Sequence, residues 1–413
     1  MTGYYDSLET RDPEAREDAL FLALPQHIAH AKNHAPGCAR ILAGINPAAI
    51  TNREALATLP VTRKSDLIEL HKNERPFGGL NATAAGDVAR IYASPGPIYD
   101  PEGRRADYWR LARALFAAGF RKGDIIHNTF AYHFTPAGFM LDLGAQALGC
   151  AVIPAGVGQT ELQVQTIADL RPNGYAGTPS FLKIILEKGR ELSADLSSLK
   201  KALVSAEALP PALRAQLKDY GVPALQCYAS ADIGLIAYES EALQGMIVDE
   251  HIIIEIVRPG SGEPVPEGEV GEVVVTTLNP DYPLIRFGTG DLSAVLPGAS
   301  PCGRTNLRIK GWMGRADQTT KVKGMFVQPT QVAQVMKRHP EIIKARLVVD
   351  YDANKSDRMI FHCETHGEGS NGLREAIISS IREVSKLRGE VAFKKPGELP
   401  NDGKVIEDAR KYD

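Results

Sequence analysis

Apolar residues recur at helical spacing from Asp12 to about Lys72, and then give way to short apolar runs alternating with amphipathic stretches. The runs fall at residues 90–94, 124–130, 151–156, 173–179, 201–209 and 223–230. Between them, residues 108–120, 139–149, 161–170, 180–189 and 211–221 carry the 3.6-residue period of helices. Strand–helix alternation of this kind predicts crossover units and a buried, mainly parallel sheet. In open parallel sheets ligands bind beyond the carboxyl ends of the strands, a rule that singles out Ser94, Gly96, Gly156, Glu207 and Asp232. Upstream, LPVTRKSDL (residues 59–67) reads as a proline-led turn into a helix capped by Thr62 or Ser65.

The texture changes near Ile247, where HIIIEIVRPGSGEPVPEGEVGEVVVTTL sets two β-branched runs on either side of a Gly/Pro/Glu turn and predicts antiparallel strands. Farther on come a helix carrying Val332, Val335 and Met336, strands at 345–351 and 358–364, and a helix with Leu373, Ile377, Ile381 and Val384 on one face. The expected fold is therefore α/β. A large N-terminal domain of residues 1–316 combines a helical cover over about 1–85, mainly parallel sheets and a β-rich part over about 245–316. A small α+β domain follows over 317–413.

Composition narrows the function classes. The chain has 413 residues, 44% hydrophobic and 23% charged, which suits a globular protein of several lobes and leaves no disordered or fibrous reading. Its 47 basic and 50 acidic side chains are interspersed, with a net charge of −3, so neither a nucleic acid nor an anionic membrane is an expected partner. The acidic N-terminus lacks a secretory pattern and no run approaches the ~20 apolar residues of a membrane span, which points to the cytoplasm. Five dispersed cysteines form no CxxC pair and read as reduced structural thiols.

Several ordered motifs carry a resemblance: LPVTRKSDL, AVIPAGVGQTELQVQTIADLRP, GTPSFLK, EIVRPGSGEPVPEGEVGEVVVTTL, PLIRFGTGDL, PCGRT, GRADQTTKVKG and the terminal PNDGK. Together they span nearly the whole chain, and an ordered set is far more specific than any one motif. The chain resembles the acyl-adenylate-forming superfamily, in its phenylacetate–CoA ligase-like branch. That resemblance implies ATP-dependent activation of an aromatic or arylacetic acid through an acyl-adenylate. Transfer to coenzyme A follows, with ATP/AMP, Mg2+ and coenzyme A as the implied cofactors. The small domain is implied to be mobile, and because dimers are common in the branch, a second copy of the chain is a candidate partner.

The roles transfer residue by residue. Asp291, ending the apolar strand PLIRF in Thr289-Gly290-Asp291, resembles the ribose-binding carboxylate, and an ionised Asp is a pure acceptor suited to a diol. Arg315 resembles the nucleotide-contacting arginine, Asp317 the hinge residue, and Lys404 of PNDGK the adenylation lysine acting electrostatically on the reacting oxygens. Ser205, Ala206 and Glu207, with Tyr228 and Ser230, occupy the place of the adenine pocket, although Ser205 replaces the usual glycine. Asp232 stands where the family has a magnesium-binding Glu and is counted with Lys404 among the catalytic residues, with Ala231 in place of the usual threonine.

The loop YASPGPIY (residues 92–99) takes the place of the phosphate loop. It keeps Ser94 and Gly96, but Pro95 and Pro97 remove two N–H donors. Tyr132, His133, Phe134 and Phe139, with Ala155, Gly156 and Val157, are the expected walls of a flat apolar acid pocket, or else core. Only Cys302 marks the branch's structural zinc set, since Ser300 and Ile247 stand where a Cys and a His would be, so no zinc is expected. Two rival readings stay open: transfer to a carrier-protein thiol or an amine, and a non-catalytic nucleotide- or acyl-binding homologue.

Overall fold

Five of the apolar runs become parallel neighbours in one sheet, in the spatial order Ala224–Ser230, Lys201–Val204, Gly174–Gly177, Ile125–Asn128, Ala151–Pro154. Beyond Ala224–Ser230 the sheet continues antiparallel through Gly234–Glu239, Met246–Val248 and Arg308–Ile309. Side chains alternate across it as the two-residue period requires. Leu203 joins the core under the helices Leu111–Ala117 and Ala137–Leu148, whereas Ala202 and Val204 join the core under Thr160–Leu170, Pro179–Glu191 and Pro211–Asp219. Local chemistry sets the ends: Thr178 caps the helix Pro179–Glu191 through Oγ1 with Pro179 next to it, and Gly149 closes Ala137–Leu148 at φ +85°.

The computed structural model describes residues 3–94, 98–316, 318–323, 325–351, 356–367 and 369–410. It divides into two compact units, one of Met1–Ile254, Val275–Phe287 and Leu296–Trp312, the other of Glu255–Val274, Gly288–Val295 and Met313–Asp413. The division is not a single cut: the chain passes between units along the strands Ile252–Val257, Gly271–Thr277 and Phe287–Ser293. Asp291 and Arg315 consequently belong to the second unit. That unit holds a sheet ordered Glu390–Lys394, Asp357–Thr365, Ile342–Tyr351, Ile406–Asp408, antiparallel at its centre and parallel at both flanks. Its core joins Leu347 and Phe361 to Val332 and Val335 from Pro329–Arg338 and to Ile377 and Ile381 from Asn371–Ser385.

Three local expectations are corrected. Residues 90–94 do not enter the parallel sheet. Arg90–Ser94 instead pairs antiparallel with Ile98–Glu102, because buried Glu102 accepts Tyr92 Oη at 2.6 Å and Trp109 Nε1 at 2.8 Å and pairs with Arg90. The helix expected over 108–120 spans only Leu111–Ala117, since Arg110 is left-handed at φ +65° and its guanidinium is held by Asp249 at 2.8 Å. The turn at LPVTRKSDL is capped by neither Thr62 nor Ser65; Asp66 Oδ2 accepts the Arg63 N–H at 2.8 Å within a short turn before Leu67–Asn73.

Candidate active site

In the first unit, the paired strands Arg90–Ser94 and Ile98–Glu102 and the turn after Ala224–Ser230 bring polar groups together. Ser94 Oγ donates to Asp100 Oδ2 at 2.9 Å, and Lys64 Nζ donates to Asp232 Oδ2 at 2.6 Å. Both carboxylates are buried, yet Asp100 Oδ1 and Asp232 Oδ1 have no hydrogen-bond partner. Burial, and then the negative charge of Asp232, raise the Asp100 pKa, with Lys64 and Ser94 acting the other way. His71, close enough to feel Asp232, has its pKa lowered by burial, and its Nδ1 accepts the Tyr99 N–H at 3.2 Å. Two orphan carboxylate oxygens are the hard donors a magnesium ion prefers, so the donor chemistry fits that ion. Among the described residues no group of three His, Cys, Asp or Glu side chains could hold a metal, which leaves water and substrate oxygens to complete any such shell.

The residues assigned to the adenine side lie one strand over. Ser205 follows Lys201–Val204, its N–H donating to Gly177 O at 3.2 Å and its Oγ to Cys227 O at 2.8 Å. Ala206 sits at φ +66°, and Glu207 is exposed with its backbone oxygen accepting Gln226 Nε2 at 2.9 Å. Tyr228 is buried at an irregularity in the pairing of Ala224–Ser230 with Gly234–Glu239, and Ser230 Oγ accepts the Ile233 N–H at 3.3 Å.

Three of the residues assigned to the acid, Tyr132, Ala155 and Gly156, meet at Asn128, a residue the sequence reading missed. Its backbone oxygen accepts the N–H groups of Ala155 and Gly156 at 3.0 and 3.1 Å, and its side-chain amide donates to Tyr132 Oη at 2.7 Å and to Gly138 O at 2.9 Å. Tyr132 meets Phe139 edge to face at 5.1 Å, and the Arg90 guanidinium lies 4.4 Å above the Phe139 ring. His133 and Phe134 contact each other at 4.7 Å but are exposed, as is Val157, so these three stand apart from the packed Tyr132–Phe139 pair.

The second unit gathers Asp291, Arg315 and the Lys404 loop. Asp291 and Arg315 face one another across an isolated antiparallel bridge, and Arg315 Nη1 donates to Asp291 Oδ1 at 2.9 Å. Gly290 takes φ +74°, and a Cβ there would meet Arg315 Nη2 at 2.8 Å, so the glycine is what lets the guanidinium lie close. Lys404 is exposed, but its loop is bracketed. Gln318 Nε2 donates to Gly403 O at 3.0 Å, while Gln318 Oε1 accepts the N–H groups of Val405 and Ile406 at 2.5 and 3.0 Å. Arg346 pairs with Asp402, and Asn401 Oδ1 accepts the Val270 N–H at 2.9 Å. Asp317 and Gly96 lie outside the described residues.

Besides Asn128, sequence reasoning passed over Lys64, Asp100 and Gln318. Lys64 and Gln318 stood inside recognised motifs without an assigned role, and Asp100 had only one signal, a carboxylate directly after Ile98 and Tyr99. At the position of the expected zinc remnant, Cys302 Sγ lies 3.1 Å from Ser300 Oγ and 3.6 Å from Arg304 Nη1. Burial pushes that thiol's pKa up, but the hydrogen bonds from Ser240, Ser300 and Arg304 outweigh it and lower the value overall.

A family model described as AMP-binding enzyme matches residues 111–279. The chain is 35% identical to the phenylacetate–coenzyme A ligase of Thermus thermophilus, over 95% of this chain and 92% of that one. It is 30% identical to the Pseudomonas putida protein of the same description, over 92% and 90% of the two chains. Among solved structures, a 2-hydroxyisobutyryl-CoA ligase in complex with its acyl-AMP and coenzyme A aligns with a TM-score of 0.74 at 24% identity, covering 97% of this chain and 92% of that one.

Proposed function

From a chain that belongs to the AMP-binding enzyme family, in the branch of the phenylacetate–coenzyme A ligases, we infer an AMP-forming ligase that activates an aromatic or arylacetic acid and passes it to coenzyme A. The observation that carries the reading is the bridge holding Asp291 against Arg315. Arg315 is half exposed, and a pair of that kind contributes at most about 1 kcal/mol to stability. Its consequence is orientation: the guanidinium, donating to Oδ1, fixes the plane of an acceptor-only carboxylate of the kind that suits a diol.

In the first half-reaction a carboxylate oxygen of the acid attacks the α-phosphorus of ATP, the bond to the β-phosphate oxygen breaks, and pyrophosphate leaves. Lys404 stabilises the charge on the reacting oxygens, and Asp291 accepts the ribose hydroxyls. Ser205–Glu207 and Tyr228 border the adenine, with Tyr228 supplying its ring face. Asp232 and Asp100 would hold magnesium, which when bound neutralises phosphate charge. Tyr132 and Phe139, braced by Asn128, supply the apolar surface for an aromatic acid. In the second half-reaction the coenzyme A sulfur attacks the acyl carbonyl, AMP leaves with the electron pair of the broken C–O bond, and the thiol proton goes to solvent.

The test is a mass-spectrometric screen of aromatic acids with ATP, with and without coenzyme A. Thioester formed only with coenzyme A is the expected result. AMP released without thioester would point to a carrier thiol or an amine as acceptor, and neither product across a broad panel would overturn the reading. With a positive acid in hand, Lys404→Ala should lower pyrophosphate exchange by about 100-fold or more, the scale of losing one charge-stabilising group. Its melting temperature should not change, because the side chain is exposed. An intact exchange rate would remove Lys404 from the chemistry.

A further inference from the structure

The turn between the strand Ala151–Pro154 and the helix Thr160–Leu170 holds three left-handed residues, Gly156 at φ +67°, Gly158 at φ +76° and Gln159 at φ +47°. A backbone of that shape has no ladder of its own, so its polar groups must be held by other parts of the chain. From one side, Asn128 O accepts the N–H groups of Ala155 and Gly156. From the other, the buried Gln163 donates through Nε2 to Gly156 O at 2.9 Å and to Gly158 O at 2.7 Å. The Gln163 amide has one orientation only. Two carbonyls can only accept, so the NH2 group faces the turn and Oε1 faces His127 Nε2, 2.8 Å away. His127 then carries its proton on Nε2. A neutral ring of that form agrees with a pKa lowered by burial and with an Nδ1 that has no hydrogen-bond partner. The strand Ile125–Asn128 thus grips the turn twice, directly through Asn128 and by way of His127 through Gln163.

We propose that Gln163, oriented by His127, is a positioning residue for the acid, fixing the turn at Ala155 and Gly156 against the strand end from which Tyr132 is also held. Asn128 is the common anchor: its backbone oxygen takes the turn and its side-chain amide takes Tyr132 Oη. With Gln163 closing the opposite side, the turn cannot shift relative to the ring, and the space for an acyl group keeps one width. Gln163 touches no reacting atom, so its contribution is to which acid fits and how tightly. This inference rests on the reading that an acid lies against Tyr132 and Phe139. The clamp itself is measurable with no substrate present.

The experiment compares wild type with Gln163→Met, which removes both ends of the clamp, and Gln163→Glu, which keeps an acceptor for His127 but loses the donors to the turn. The second variant stands alone if the first does not fold. Hydrogen exchange of substrate-free protein should show the Ala155 and Gly156 amides exchanging at least ten-fold faster in the variants, with the strand Lys201–Val204 unchanged. In thioester assays with the best acid from the screen, KM for that acid should rise about ten-fold, the scale of one or two lost hydrogen bonds. KM for ATP should stay within about two-fold, because the turn holds no nucleotide group. The preference for that acid over its homologue one methylene longer should shrink. Three outcomes would overturn the proposal: unchanged exchange at Ala155 and Gly156, faster exchange with an unchanged KM for the acid, or an equal rise in KM for acid and for ATP. A chain that forms thioester yet shows one of those outcomes loses the Gln163 role alone. No thioester with any acid, alongside faster exchange in the variants, would sink the ligase reading and with it the acid's part in this proposal, leaving only the clamp.

Discussion

At the scale of single residues, the same physics that places functional groups also leaves signatures unrelated to catalysis. His27, in the first unit, is buried with Nε2 unpartnered, and burial pulls its pKa from the ordinary 6.5 down to about 4. A depressed pKa means that the folded chain binds fewer protons than the unfolded chain between those values. The stability involved is therefore complete above about pH 6.5 and is lost as pH falls through about 4. His27→Gln should flatten the decline in melting temperature between pH 6.5 and 4 relative to wild type. Parallel curves would show that another group sets the acid limb. Asp291 was legible from its setting in PLIRFGTGDL, because a carboxylate ending an apolar strand in a Gly turn is a local pattern. Asp100 and Lys64 were not, because their meaning lies in Asp232, more than a hundred residues farther along the chain.

At the scale of elements, Gln318 is the clearest case of a side chain that acts through another. Its amide makes three hydrogen bonds to the backbone on either side of Lys404, so the reach of that lysine is set from the 314–320 segment rather than by the loop alone. Gln318→Ala would leave those backbone groups seeking water, at a cost of about 1–3 kcal/mol if they stay buried. The expected outcome is a fall in kcat for adenylation with little change in KM for ATP, and partial recovery in Gln318→Asn. A rise in KM with unchanged kcat would show that Gln318 serves nucleotide binding instead. A related strain is expected at Gly403: it lies at φ +71°, and a Cβ there would approach Val270 Cγ1 to 2.7 Å. Gly403→Ala should lower stability by about 1–3 kcal/mol in chemical denaturation, the usual scale for overpacking. The expected helix over 108–120 shows the limit of periodicity. The 3.6 pattern is present there, but the ion pair of Arg110 with Asp249 turns the chain before Leu111, and no local sequence window contains Asp249.

At the scale of the whole molecule, the chain's repeated passage between the two units has a consequence for truncation. A boundary at residue 316 is natural along the sequence, yet Val270 and Leu292, upstream of it, pack beside Gly403, and Val270 is tied to Asn401. A chain ending at residue 316 would expose those apolar groups and leave the Val270 N–H without its Asn401 acceptor. Limited proteolysis of residues 1–316 should therefore cut within 255–274 much faster than in the full chain. Equal protection in both would show that this segment is stable without the C-terminal part. Among the described residues no helix is long and apolar enough to cross a membrane.

Strand and helix succession, the buried parallel sheet, the composition of the C-terminal part and the family motifs were all present in the order of residues along the chain, because periodicity and turn chemistry act over a few positions. The antiparallel pairing of Arg90–Ser94 with Ile98–Glu102, the short helix at Leu111–Ala117, the bracketing of Lys404 by Gln318 and the meeting of Lys64, Asp100 and Asp232 were not. Each depends on burial or on a charge brought near from a distant segment, and those quantities exist only once the chain has folded around them.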